Sequence, residues 1–159
     1  MTSDRIPMSK DGYDKLRAQL DHMKNDDMPR IAEQIALARA FGDLSENAEY
    51  DAAREAQGML QARINDLQDK LARGMIVERT GLPTDRIVFG STVRVLDLDQ
   101  KDEEDFVLVG PGEEDYDLNK ILLTSPIGQG LVGKKIGDVV EISVPRGTLR
   151  LKVVKIKGD

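Results

Sequence analysis

The chain has 159 residues, a formal charge of −6, a pI near 4.9 and 40% hydrophobic content, an ordinary soluble globular profile with room for one or two small domains. Zero cysteines exclude disulfides, thiolate metal sites and a cysteine nucleophile, while the acidic balance argues against broad, sequence-independent nucleic-acid binding, which needs many Lys and Arg against phosphates. The N-terminal MTSDRIPMSKDG lacks the apolar core of a signal peptide, and no apolar run reaches the ~18 residues that could span a membrane, so the expectation is a cytoplasmic protein with no membrane partner.

In chain order, Tyr13, Leu16, Leu20 and Met23 recur at helical spacing. After a phase break near Pro29 the stripe resumes at Met28, Ile31, Ile35 and Ala38. Asn25, Asp26 and Asp27 before Pro29 form a cap-and-restart sequence, which predicts a kink or short break. Tyr50, Ala53, Gln57, Leu60, Ile64, Leu67 and Leu71 then alternate spacings of three and four, the seam of a coiled coil with one polar member. Two such helices joined by a few residues must pack antiparallel. The second, from about Ser45 to Gly74, is expected to extend roughly 40 Å at ~1.5 Å per residue.

Between Arg73 and Arg86, Gly74, Gly81 and Pro83 end the helical period. Beyond them lie six short segments rich in Val, Ile and Leu: Ile87 to Phe89, Thr92 to Leu98, Phe106 to Val109, Ile121 to Thr124, Val139 to Val144 and Leu149 to Ile156. Their alternation reads as half-buried antiparallel strands, and a short helical turn is expected after Ser125-Pro126. The fold class is therefore α+β: an N-terminal antiparallel coiled-coil hairpin over 1–76, a linker over 77–86, and a small antiparallel β domain over 87–159.

The turn of the hairpin, GDLSENAEY from Gly42 to Tyr50, carries the densest chemistry. Asp43-Leu44-Ser45-Glu46 fits a capping box, with Asp43 as cap and Glu46 reaching back from N3. Ser45 competes for the cap, and Glu49 and Asp51 add negative charge where a helix N-terminus favours it. The other reading is that Asp43 and Glu46, two carboxylates at the exposed end of a rigid rod, share one hard cation; Mg²⁺ takes only one or two protein carboxylates and fills its other sites with water and phosphate. Such a tip is an incomplete metal site by itself.

Other signals are weaker. The run from Gly128 to Lys134 satisfies part of a P-loop, but Lys135 replaces the Ser or Thr that would ligate Mg²⁺ and a strand follows. Asp97, Asp99 and Asp102 suggest an EF-hand, yet Lys101 occupies a ligand position and the required Gly is missing. His22 has no metal-ligand partner in the pattern and reads as a surface or stem residue.

GDLSENAEYDAAREAQG, from Gly42 to Gly58, closely resembles the tip signature of the bacterial Gre transcript-cleavage factors, of the GreA type. The resemblance continues through IVFGSTVRVLDLD, from Ile87 to Asp99, and SPIGQGLVGKKIGDVVEI, from Ser125 to Ile142. It implies an FKBP-like C-terminal domain and a transcription elongation factor that binds the secondary channel of RNA polymerase and stimulates the polymerase's own cleavage of backtracked RNA. By resemblance, Asp43 and Glu46 are the catalytic tip residues supplied in trans. They would hold the second Mg²⁺ jointly with the polymerase, with no ion bound stably by the chain alone. Arg39 and Arg54 match a basic patch beside the nascent RNA 3′ end, although arginines in surface salt bridges with neighbours such as Glu55 are the plain alternative. Ser125 and Pro126 match a loop that docks on the rim of the channel, where the plain reading is a Pro-initiated turn.

The resemblance further implies a monomeric accessory factor that is not itself an enzyme and takes no small-molecule substrate. A Gre-like channel binder that inhibits polymerase without stimulating cleavage is the alternative, and relatives of that kind tend to alter the tip carboxylates that this chain retains. A free-standing nuclease fails on ligand number, and a prolyl isomerase fails because only Phe89, Phe106 and Tyr116 are available in the C-terminal half to line an aromatic pocket.

Overall fold

The computed structural model describes residues 5–40, 42, 47–78 and 80–158. The chain divides into two compact units, one built from 14–74 and the other from Ile6–Tyr13 together with the chain from Met75 onward. The polypeptide thus passes between units near Tyr13 and again near Gly74.

In the first unit, α1 (Lys10–His22) runs through a π-helical turn (Met23–Asp27) into α2 (Met28–Arg39), and α3 (Ala48–Ala72) follows the tip. At ~1.5 Å per residue, the 25 residues of α3 extend about 37 Å. Its buried residues are Ala53, Leu60, Ile64, Leu67 and Leu71, and α2 contributes Ile35 and Ala38. Those positions are the predicted seam. Near the tip the seam is alanine on both sides, Ala38 and Ala53, so the helices need no bulky layer between them and the rod stays thin.

Of the kink or short break expected near Pro29, the structure shows no break: the helix runs through the proline, with an irregular π-helical turn just before it. Proline has no N–H, and its ring crowds the carbonyl four residues before it in a regular α-helix. The preceding turn widens instead, with Met28 N–H donating to the Met23 carbonyl in the i to i+5 pattern. Polar side-chain contacts line the widened turn: His22 Nδ1 lies 2.7 Å from Asp26 and Nε2 3.4 Å from Asp27, which also faces Arg30 at 3.7 Å. His22 accordingly belongs to the stem.

The second unit contains a five-stranded sheet in the order β5 (Lys120–Leu122), β4 (Glu103–Val109), β3 (Thr92–Asp97), β7 (Gly147–Lys157), β6 (Val139–Val144). Its core is built from one face, with Val93, Val95, Leu108, Ile121, Val140, Ile142, Leu151 and Val153 among the buried residues. Two expectations are corrected. First, β4 and β5 pair in parallel, Val107 with Lys120 through Val109 with Leu122. The chain can do this because a 3₁₀ turn (Tyr116–Leu118) ends on Asn119 in the left-handed conformation, φ 55°, and re-enters beside β4 in the same direction. Second, Ile87 to Phe89 is a buried loop: Ile87 accepts from Gly133 N–H and donates to the Lys134 carbonyl, while Val88 N–H is taken by the buried Ser91 hydroxyl.

The expected helical turn is α4 (Pro126–Leu131), capped by Ser125, whose hydroxyl accepts from Gly128 N–H at 3.1 Å. Glycine is required inside it. A Cβ on Gly128 would stand 2.6 Å from the Leu123 carbonyl oxygen, and one on Gly130 would stand 2.7 Å from Ile142 Cγ1. Asp97, Asp99 and Asp102 lie in the β3–β4 connection, where Asp97 Oδ1 accepts from Asp99 and Gln100 N–H and Asp99 pairs with Arg150 at 2.9 Å. The Asp97 carboxylate thus serves the turn and that of Asp99 ties it to β7.

The segment before α1 is also part of this unit. β1 (Ile6–Met8) pairs with β2 (Gly74–Ile76), Val77 N–H donates to the Met8 carbonyl at 2.8 Å, and Met8 is fully buried. Ser9 bonds Glu113 and also receives Gly12 N–H at 3.0 Å, capping α1. Gly110 permits the close approach, since a Cβ there would collide with the Pro7 carbonyl and lie 3.1 Å from Met8 Cα. Gly110→Ala is expected to destabilise the protein by about 1–3 kcal/mol, the usual cost of overpacking, and hydrogen exchange should show earlier loss of protection at the Val77 amide than in the β3–β7 ladder.

Candidate functional site at the hairpin tip

The end of α2 and the start of α3 form the candidate site. α2 ends at Arg39, and Gly42 N–H donates back to the Arg39 carbonyl at 3.2 Å. Gly42 takes φ 101°, which side-chain-bearing residues rarely adopt, and a Cβ there would meet nothing within 4 Å. Backbone conformation, with no steric crowding, is what demands glycine here.

Asn47 is the N-cap of α3, and it occupies both ends of its carboxamide. Oδ1 accepts from Tyr50 N–H at 3.1 Å, satisfying one of the orphan donors of the helix start. Nδ2 donates to the Ala38 carbonyl at 2.6 Å, in the last turn of α2. One side chain therefore closes two helix ends and binds them to each other. Glu49 and Asp51 add carboxylates to the first turn of α3, where the helix dipole favours them.

Asp43 and Glu46 lie outside the described residues. The capping-box reading is corrected at the described residues: α3 begins at Ala48 and its N-cap is Asn47. Sequence reasoning passed over Asn47 because Asp43 and Ser45 offered themselves as cap residues first along the chain.

Arg39 and Arg54 come together around Tyr50. Their guanidinium carbons lie 5.8 and 6.0 Å from its ring centroid, within cation–π range. Arg54 also donates to the Tyr50 hydroxyl at 3.4 Å. The Arg39 guanidinium beside that hydroxyl, with the charge of Arg54 added, holds the phenol pKa below its ordinary value against an opposing desolvation. Among the described residues neither arginine forms an ion pair, Glu55 included. Tyr50 entered the sequence reading as a seam residue, and the flanking arginines at minus eleven and plus four positions were the signal that it has a second role.

Ser125 and Pro126 stand apart from the tip, in the second unit. Ser125 is half-buried with its hydroxyl committed to the α4 cap, while Pro126 and the preceding Thr124 are exposed. No cluster of three or more His, Asp or Glu side chains among the described residues is arranged to hold a metal ion, and no helix among them is long and apolar enough to cross a membrane.

Two protein-family models match the chain: "Transcription elongation factor, N-terminal" over residues 6–76, and "Transcription elongation factor, GreA/GreB, C-term" over residues 82–158. The chain belongs to the GreA/GreB family. It is 46% identical to the transcription elongation factor GreA of Thermodesulfovibrio yellowstonii over 157 residues, covering 99% of each chain. Against the GreA of Yersinia pestis the identity is 43% over 154 residues, 96% of this chain and 98% of that one. Among solved structures it is similar to the GreA factor homolog 1 of Thermus thermophilus, 26% identical over 97% of this chain and 99% of that one, with a TM-score of 0.46.

Two outcomes are expected at the site. Asn47→Asp retains a cap acceptor but loses the donor to Ala38, and Asn47→Ala loses both bonds; thermal denaturation should rank them wild type, Asp, Ala, with about 1–2 kcal/mol lost in the alanine variant. Tyr50 should ionise below the ordinary phenol value of about 10 in ultraviolet difference titration against Tyr50→Phe. The folded state favours its charged form, so the associated stability is present at high pH and is lost as pH falls through the lowered pKa; Arg39→Gln should move the transition upward.

Proposed function

We propose that this chain is a transcription elongation factor that acts on RNA polymerase as an accessory protein. It enters the secondary channel with the hairpin tip and stimulates the polymerase's own endonucleolytic cleavage of backtracked RNA, which releases arrested complexes. The observation that carries this reading is the 46% identity, across 99% of both chains, with a relative named transcription elongation factor GreA. Its setting is the cytoplasm, where the polymerase works, and it acts as a monomer.

The tip chemistry follows from the residues. Asp43 and Glu46 are the oxygen ligands in this reading, and two carboxylates are the donor set that Mg²⁺ takes from a protein while keeping sites for water and phosphate. When bound there together with polymerase, the ion supplies an activated water and charge stabilisation for phosphodiester attack. The chain's own contribution is to present both carboxylates at the end of a rod stiffened by the Leu60, Ile64, Leu67 and Leu71 seam and kept slender by Ala38 and Ala53. Arg39 and Arg54 contact phosphates near the RNA 3′ end. In the second unit, the loop of Ser125 and Pro126 docks on the rim of the channel, with Ser125 capping α4 and Pro126 exposed at its first position.

A backtracked elongation complex supplied with Mg²⁺ tests the proposal. The wild-type protein should accelerate cleavage near the RNA 3′ end, and no acceleration would sink the idea; inhibition of nucleotide addition without cleavage would replace it with the inhibitory channel binder. Asp43→Ala and Glu46→Ala should each lower stimulation roughly a hundredfold, the scale of losing one stabilising group in a water-excluded site, with helicity by circular dichroism retained.

A further inference from the structure

We propose that Tyr50 is a positioning residue that gathers Arg39 and Arg54 into a single clamp for one phosphate group of the RNA 3′ segment. The inference rests on the proposed function for its ligand and on the geometry of the free chain for its mechanism. Arg39 is the last residue of α2 and Arg54 lies in the second turn of α3, so nothing in the connectivity brings their guanidinium groups together. Isolated, each long side chain would sample many rotamers. Here both converge on one ring, at 5.8 and 6.0 Å from its centroid, and Arg54 Nη1 reaches the ring hydroxyl.

Tyr50 can act as the gatherer because its own position is constrained. Its backbone N–H is held by the Asn47 cap, and its half-buried side chain opens the hairpin seam. Two guanidinium groups beside one neutral phenol repel each other, and among the described residues no carboxylate pairs with either. A phosphodiester relieves that repulsion and accepts from both forks, and a phosphate contact of this kind needs no base sequence. If Tyr50 served the seam alone, leucine would replace it without loss.

The test uses the full-length protein on a backtracked complex, comparing wild type, Tyr50→Phe, Tyr50→Leu, the Arg39→Gln/Arg54→Gln double variant and the triple variant that adds Tyr50→Leu. Tyr50→Leu should lower the factor-dependent cleavage rate at saturation about tenfold, the scale of a misplaced binding group, without changing the half-saturating concentration. Tyr50→Phe, which keeps the ring face, should retain most of the rate. The triple variant should be no slower than the double. Full activity of Tyr50→Leu, loss of its helicity, or multiplication of its effect with the double variant would overturn the clamp. If the wild type itself fails to stimulate cleavage, the functional reading falls while the clamp is decided in the free protein by nuclear magnetic resonance: the Arg39 and Arg54 side chains should be restricted in wild type and Tyr50→Phe and mobile in Tyr50→Leu, and equal mobility in all three would overturn it.

Discussion

Helix ends repel burial and resist close association, because each leaves backbone donors or acceptors without partners. At the tip of this hairpin the carboxamide of Asn47 answers one donor of α3 and one acceptor of α2 with a single group. Its dual character matters chemically: a serine or aspartate could cap α3, but neither offers an N–H to the Ala38 carbonyl in that arrangement. This crosspiece ties the last turn of α2 to the first turn of α3, from which Arg39 and Tyr50 extend.

The seam behind it supplies stiffness by a different route. Leucine and isoleucine at Leu60, Ile64, Leu67 and Leu71 bury a continuous apolar stripe, while Ala38 and Ala53 near the tip give up packing volume for a narrow cross-section. The proline that threatened this continuity is accommodated by one π-helical turn, which leaves α1 and α2 a single helical path. Together these features give the hairpin rigidity along its length and little bulk in the seam near its tip.

The second unit follows another logic, in which close backbone approaches are made possible by missing side chains. Gly128 and Gly130 let α4 lie against Leu123 and Ile142, and Gly110 admits the chain at Pro7 and Met8. That last contact binds residues from the beginning of the chain to the unit formed by its end. Helical periodicity in 10–22 is indifferent to it, because the segment that docks precedes the periodic residues and contains only one fully buried side chain, Met8.

The seam residues, the tip as a reversal between two helices, the α+β class and the helical turn after Ser125 were all legible in the sequence, since each rests on local periodicity or on capping chemistry within a few residues. The family was legible too, from GDLSENAEY and the two later motifs. Tertiary structure alone decided the rest. The parallel pairing of β4 with β5 depends on Asn119 in a left-handed conformation, and alternation of apolar residues carries no strand direction. The bond of Asn47 to a carbonyl nine residues upstream, and the contact of Tyr50 with two arginines from different helices, form only when the hairpin closes. Sequence by itself determined what each residue could do over one or two turns of chain; the folded hairpin determined which groups from different helices stand close enough to act together.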